Sequence, residues 1–427
     1  MGLKLEWIGG TGEPSPAPFA RARLENGIRV LLRPNRSIPV VAVDCWIGVG
    51  ALYERDEHAG ISHFLEHMFF KGTRRYPLGS MDRLVKEMGG YNNAATSMEY
   101  THYYIVAPAE HAWRAADLLA DHMMDPALPA EELERERQVV KEEIRRKDDS
   151  PHGRLYTSLV QAAYGASPYA REVLGTPDSL DQIDPDVMRE WWRENYVGER
   201  VVVAIAGDID AESALGEVAD RLGGLPPGPP PPAPPDPPPI APRTVDVGMD
   251  VAQGYLAWGL PIPGRDDLET LCTLEVAATI LGDGETSRLH RRLIDELRLV
   301  TEVGAWTYGL ERAGLLGVSA VLAPDRRTAV EAEIAEVLEA TARHGVSVEE
   351  VRRAQTVLAA DFAYDNETNA ALTGTMGEFE ILYGAAERYR DVLRGVAAVT
   401  PERVVEAIRS RVTPDRAVRA WVGPDGA

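Results

Sequence analysis

The sequence predicts an α+β protein of two similar α/β halves, each a mixed sheet packed with helices, joined by a proline-rich linker. Three observations predict it. At 427 residues the chain is too long for one ordinary domain, and each of two domains could bury its own core. The stretch LPPGPPPPAPPDPPPIAP at 225–242 cannot form a helix interior or a central strand, and reads as a semi-rigid polyproline strap. Finally, residues 184–207 lie without gaps on 400–423 at an offset of 216, and 131–143 lie on 349–361 at an offset of 218. In the longer match a Pro-initiated helix, a short turn, an apolar strand and a glycine recur in order. Any two α/β segments align loosely, but two ungapped matches at nearly equal offsets favour duplication. The expected division is 1–224, a linker at 225–243, and 244–427.

Taken in order after an irregular start, Leu24 to Leu32 reads as a strand pair opening on Asn26-Gly27. Val40 to Val49 is an apolar strand. Pro77 to Met88 has amphipathic helical spacing and closes on Gly89-Gly90. Residues 91–107, rich in β-branched and aromatic side chains, read as a strand. Ala109 to Met124 is helical until Asp125-Pro126 interrupts it. Residues 130–147 form a helix with Leu133, Val140 and Ile144 as its buried stripe. A helix at 185–196, a strand at 201–206 and a helix at 211–223 complete the first half.

A net charge of −22, spread along the chain, argues against nucleic acid or an anionic membrane as partner. No segment approaches the roughly 20 apolar residues that span a bilayer. The N-terminal stretch lacks an apolar h-region, so as it stands it is not a signal peptide. A cytoplasmic location is expected, or a periplasmic one if a native leader has been removed. Cys45 and Cys272 lie in separate apolar runs, without metal-ligand spacing, and read as small buried side chains rather than a disulfide.

The chemistry concentrates at residues 63–67, which read HFLEH. On a helix, His63 and His67 stand one turn apart on the same face, so their imidazoles can take adjacent corners of a zinc tetrahedron. Glu66 shares that face and is placed to take a proton from a water activated by the metal. The order is that of the inverted zincins. With nine histidines in the chain, chance is the competing explanation for so short a motif. Catalytic zinc wants a third protein ligand. On the 130–147 helix, Glu136 and Glu143 are only about 20° apart around the axis, whereas Glu142 is turned roughly 100° away from Glu143. Two carboxylates on a partly apolar face need a partner, which a metal with its histidines would supply; the alternative is a pair of surface acids. In the second half Glu136 is matched by Ala354 and Glu143 by Asp361, and 277–300 contains His290 but no such motif. One half carries the site.

The run from His63 to Thr73, GGYNNAATSMEYTHYY at 89–104 and ERERQVVKEEI at 134–144 together resemble the pitrilysin/insulinase family of zinc metallopeptidases, which includes the mitochondrial processing peptidases and many bacterial relatives. The resemblance covers nearly the whole chain, including SRL at 287–289. It implies Zn²⁺ held by His63, His67 and Glu143, Glu66 as the catalytic base, and Glu136 as a supporting acid behind a ligand. It also implies that Asn93 and Ala94 begin a sheet edge that binds peptide substrates, the alternative being that Asn92-Asn93 caps a turn. Single-chain active members carry an arginine, then a tyrosine seven residues later, that grip substrate backbone. Those places fall here at Ile294 and Thr301, with Arg298 and Tyr308 offset from them. Half-length bacterial relatives form clam-shell dimers, so this chain is expected to be half of one. Its partner is either a homologous second chain carrying the Arg/Tyr grip, in a heterodimer, or a second copy, in a homodimer. The function implied is zinc-dependent endopeptidase or oligopeptidase cleavage of extended peptides. The competing reading is a non-catalytic assembly subunit of the same fold, which would need none of the four motif residues.

Overall fold

A computed structural model describes residues 4–9 and 18–424; the irregular N-terminal start lies partly outside these residues. The chain folds into two compact units that interleave in sequence. The first takes residues up to Ile144, Glu172–Ala233 and Ala363–Arg390; the second takes Arg145–Arg171, Pro234–Phe362 and Asp391 onward. One of the crossings, at 233/234, falls inside the proline strap, which is neither helix nor strand. A division into consecutive halves therefore describes the duplication, whereas the packing exchanges one helix in each direction.

The first unit is built on a seven-stranded sheet. Its strands are β1 (Glu6–Ile8), β2 (Phe19–Arg23), β3 (Arg29–Pro34), β4 (Val40–Ile47), β5 (Tyr91–Thr96), β6 (Thr101–Pro108) and β7 (Val201–Gly207). Their order is β1-β2-β3-β7-β4-β6-β5, antiparallel except where β3 meets β7. The β2–β3 hairpin turns at Asn26-Gly27, with Gly27 at φ +96°, as its sequence demands. The central strand β7, VVVAIAG, is buried at every position because both faces of the sheet are covered.

One face carries α1 (Ile61–Phe69), α2 (Ser80–Glu87), α3 (Ala112–Met124), α4 (Ala130–Asp148, within this unit as far as Ile144) and α8 (Ala211–Leu222), whose apolar side chains join one core with Val41, Val43, Cys45 and Ile47. The short α6 (Pro177–Asp181) and α7 (Pro185–Asn195) complete the unit's own helices. The opposite face, with Trp46, Val202 and Ala204, is covered by α13 (Asn369–Leu382) through Leu372 and Met376. Gly377 is required there, since a Cβ would lie 2.2 Å from the Trp46 indole. Glu380, nearly buried, reaches Arg21 at 3.3 Å and Arg29 at 3.5 Å.

The stretch 91–107 is two strands and not one. Ser97 N–H donates to the Tyr100 carbonyl, and the chain reverses so that β5 pairs with β6, Asn93 opposite Tyr104. β5 is the edge strand of the sheet.

The second unit has five strands, β8 (Arg243–Gly248), β9 (Gly254–Ile262), β10 (Val300–Gly309), β11 (Gly314–Leu322) and β12 (Val418–Gly423), in the order β10-β11-β9-β12-β8. Its core is closed by α9 (Leu268–Gly282), the helical turn α10 (Arg288–His290), α11 (Arg327–His344), α12 (Val348–Tyr364) and α15 (Pro401–Arg411); α14 (Tyr389–Ala397) adds Val396. Against β12 and β9 lies α5 (Pro151–Tyr164), the helix lent by the first half of the sequence. Each expected repeat appears as the same element twice: α7–β7 with α15–β12, and α4 with α12. Cys45 and Cys272 are free and buried. Among the described residues no helix is long and apolar enough to cross a membrane.

Arg288, from SRL, grips Glu350 with two bonds of 2.7 and 2.9 Å, and Ser347 adds a backbone N–H at 2.8 Å. Burial alone would raise the Glu350 pKa, but Arg288 and Ser347 outweigh it and hold the carboxyl at about 2. A depressed acid stabilises the fold above its unfolded pKa and loses that contribution as pH falls through its folded value. Glu350→Gln should therefore cost about 1–2 kcal/mol near neutral pH in denaturant unfolding. The deficit should shrink as pH drops from the ordinary 4.5 towards 2; a deficit constant over that range would contradict the pairing.

Candidate metal centre

The motif segment is the helix α1, and its register puts both imidazoles on the side that meets α4. Phe64, Leu65, Met68 and Phe69 are buried beneath it, and the Phe69 ring stacks on Tyr103 of β6 at 3.8 Å between centroids. Tyr103 in turn meets Tyr196 through their hydroxyls at 2.6 Å. The apolar face of α1 is thus fixed against the sheet, and its polar face is presented to α4.

Glu143 Oε2 lies 3.8 Å from His63 Nε2 and 3.7 Å from His67 Nε2, and the three candidate ligand atoms all fall within 4.8 Å of one another. In a zinc tetrahedron with bonds of 2.0–2.2 Å, ligand atoms sit about 3.4 Å apart, so the two His–Glu edges match to within a few tenths of an ångström. This is the only such group of three among the described residues. Burial and the neighbouring His67 push the His63 pKa down to about 3, which keeps its imidazole neutral, the form that binds a metal. His63 Nδ1 is buried without a hydrogen-bond partner. The donor set fits zinc: two imidazole nitrogens and one carboxylate, with no fourth protein ligand among the described residues to close the site.

Glu136 stands behind His67, between it and Lys71. One oxygen meets His67 Nδ1 at 3.0 Å and the other meets Lys71 Nζ at 2.6 Å. Burial would raise its pKa, but those two partners prevail and hold it below the usual range. An ionised Glu136 keeps the proton of His67 on Nδ1, leaving Nε2 turned towards Glu143. The two carboxylates differ in exposure: the Glu136 side chain is 13% exposed, that of Glu143 46%.

Glu66 is half-buried, and burial raises its pKa despite a hydrogen bond from the Thr96 hydroxyl at 2.5 Å. A carboxylate pushed upward is better matched to exchanging protons near neutrality. Asn93 and Ala94 lie in the middle of the edge strand β5, on opposite faces of it, and not in a turn. Asn93 is exposed, with its side-chain oxygen accepting from the Ala94 N–H at 3.0 Å.

Arg298 and Tyr308 stand towards opposite ends of β10. Arg298 precedes β10, at φ 52°, and Tyr308 is near the far end of the strand, some 25 Å of extended chain away. Thr301 gives its hydroxyl to the Val321 carbonyl. Of the remaining histidines, His102 is held at 3.1 Å by buried Asp44, and His122 donates its Nδ1–H to the Leu118 carbonyl at 2.8 Å.

Three contributors were not foreseen. Lys71 stands one turn beyond His67, a spacing that could have flagged it. Thr96 shares a strand face with Ala94, two residues on. Glu54, considered further below, carries no local signal at all.

Two family models match the chain: the insulinase (peptidase family M16) model over residues 29–177 and the peptidase M16 inactive-domain model over 182–358. An uncharacterized zinc protease of Mycobacterium tuberculosis is 31% identical over 412 residues, covering 95% of this chain and 93% of its own. One from Bacillus subtilis is 29% identical over 95% of this chain and 98% of its own. In fold, the chain resembles a protease from Helicobacter pylori at TM-score 0.87 and 24% identity, over 99% of this chain and 100% of that one. It also resembles pitrilysin at TM-score 0.80 and 20% identity, spanning 99% of this chain but 46% of that longer one.

Replacing Lys71 by Met should leave the fold intact and weaken zinc binding about tenfold, because Glu136 loses the cation that holds it. Calorimetric titration of the metal-free protein measures this; an unchanged Kd would remove Lys71 from the centre.

Proposed function

The chain belongs to the insulinase (M16) family of peptidases, and from that premise we propose that it is a zinc-dependent endopeptidase or oligopeptidase acting on extended peptides. The observation that carries the reading is the convergence of His63 Nε2, His67 Nε2 and Glu143 Oε2 beside a carboxylate, Glu66, that takes no part in the triad. An assembly subunit or a structural zinc site would need no such fourth residue.

Zinc bound by His63, His67 and Glu143 would supply a Lewis acid that polarises the scissile carbonyl and acidifies the attacking water. Glu66 takes the proton from that water and returns it to the leaving amine. Thr96 holds one oxygen of Glu66, which leaves the other for the proton. Glu136 and Lys71 keep His67 in one tautomer and one orientation. The substrate adds as a strand to the edge of β5, with Asn93 and Ala94 beside its backbone near the cleaved bond. The half-length layout, with Ile294 and Thr301 where a substrate-gripping arginine and tyrosine would stand, supports a dimer in which this chain is the metal-bearing member. The second chain supplies the grip in a heterodimer; a homodimer would work without it.

Glu66→Gln should bind zinc as the wild type does and lose about 10²–10⁴-fold in kcat on an unstructured peptide library, with KM little changed. A chelator should abolish wild-type cleavage, and zinc should restore it. If the wild type retains zinc yet cleaves nothing, alone or mixed with a related chain bearing the arginine and tyrosine, the assembly-subunit reading replaces this one.

A further inference from the structure

The metal helix is short, and its weakest part holds a ligand. α1 has nine residues, and His63 is the third of them, in the first turn, where isolated helices fray and backbone N–H groups lack intrahelical partners. Its N-cap is Gly60, which has no side chain to cap with. His67, a full turn further in, is tied by Glu136 and buried neighbours; His63 has no hydrogen-bond partner on Nδ1 to orient it.

Glu54 fills that gap from outside the helix. It is 6% exposed, and its two oxygens accept from the N–H groups of Gly60 at 2.7 Å and Ser62 at 2.8 Å. A carboxylate there also faces the positive end of the helix dipole. The turn it grips is wedged in place. Gly60 sits at φ +90°, and a Cβ on it would come within 2.6 Å of the Leu174 carbonyl. Gly175, at φ +70°, would place a Cβ 2.2 Å from the Ala59 carbonyl, which also accepts the Ser179 hydroxyl at 2.7 Å. The backbone before α1 thus packs tightly against the 174–175 segment, and Glu54 adds two hydrogen bonds to the start of the helix.

An ordinary cap would be a serine, threonine or aspartate at the helix boundary. Burying a glutamate six residues upstream is costly unless its geometry is used, and the geometry it sets is that of the residue next to Ser62. We propose that Glu54 is a positioning residue for the metal centre, holding the first turn of α1 so that His63 is presented to the metal. This rests on the reading of His63, His67 and Glu143 as zinc ligands, and does not depend on peptide cleavage.

The test is the zinc affinity of the full chain by chelator competition at 25 °C, below the unfolding transition, for wild type, Glu54→Gln and Glu54→Ala. Glu54→Gln keeps the shape and one acceptor, and should fold even if the alanine variant does not. The expected result is a Kd about 10–100-fold weaker in Glu54→Ala, with Glu54→Gln between it and the wild type, and faster amide exchange at residues 61–64. Zinc affinity equal to wild type in Glu54→Gln and in any folded Glu54→Ala, whatever the loss in Tm, would make Glu54 a structural cap only and overturn the proposal. Peptide cleavage by the same samples reports separately on function: weakened zinc binding in the variants, with no cleavage even by wild type, would sink the peptidase reading and leave the role of Glu54 standing.

Discussion

The candidate centre depends on one carboxylate, Glu136, held between an imidazole and an ammonium group. Glu136 reaches His67 with one oxygen and Lys71 with the other, and both of those partners belong to α1 or the residues just after it. A buried carboxylate without partners would be expensive, so these contacts, with buried Leu133, Val140 and Ile144, favour the rotation of α4 that keeps Glu136 at that place. Because Glu143 is two turns further along and only about 20° around the axis, fixing Glu136 fixes Glu143 as well. The ligand is aimed by the residue behind it.

The same logic links the proton-handling group to the proposed substrate edge. Glu66 extends from α1, Thr96 from β5, and their hydrogen bond joins the two directly. Beneath them the Phe69–Tyr103 stack and the Tyr103–Tyr196 hydroxyl pair tie α1 to the sheet interior. Helix, edge strand and core are therefore linked by direct side-chain contacts, which is what preorganised chemistry needs.

Much of this was legible in the sequence because it rests on short-range periodicity. The i, i+4 spacing of His63 and His67, the angular match of Glu136 and Glu143, and the duplication offsets all survive in the folded chain. The β5–β6 hairpin was not legible, because its turn, Ser97 to Tyr100, contains neither glycine nor proline and sits between strands of similar composition. Nor was the exchange of helices: nothing local in α5 or α13 says which sheet each covers. Glu54 was hidden for a related reason, since a cap delivered from six residues upstream has no fixed spacing. Arg298 and Tyr308 show the reverse case, residues of suitable type close in sequence that the strand between them holds apart.

The second unit repeats the architecture without the chemistry, and Ala354 stands where Glu136 stands in the first. Duplication thus leaves one candidate metal centre among the described residues, and its ligand set is the central claim. X-ray absorption at the zinc edge of the zinc-loaded protein tests it most directly. We expect one zinc per chain with two imidazole nitrogens, carboxylate oxygen and one exchangeable light-atom ligand, reduced to a single imidazole in His63→Ala. A closed shell of four protein ligands, a sulfur neighbour from Cys45 or Cys272, or an unchanged spectrum in Glu143→Ala would contradict it.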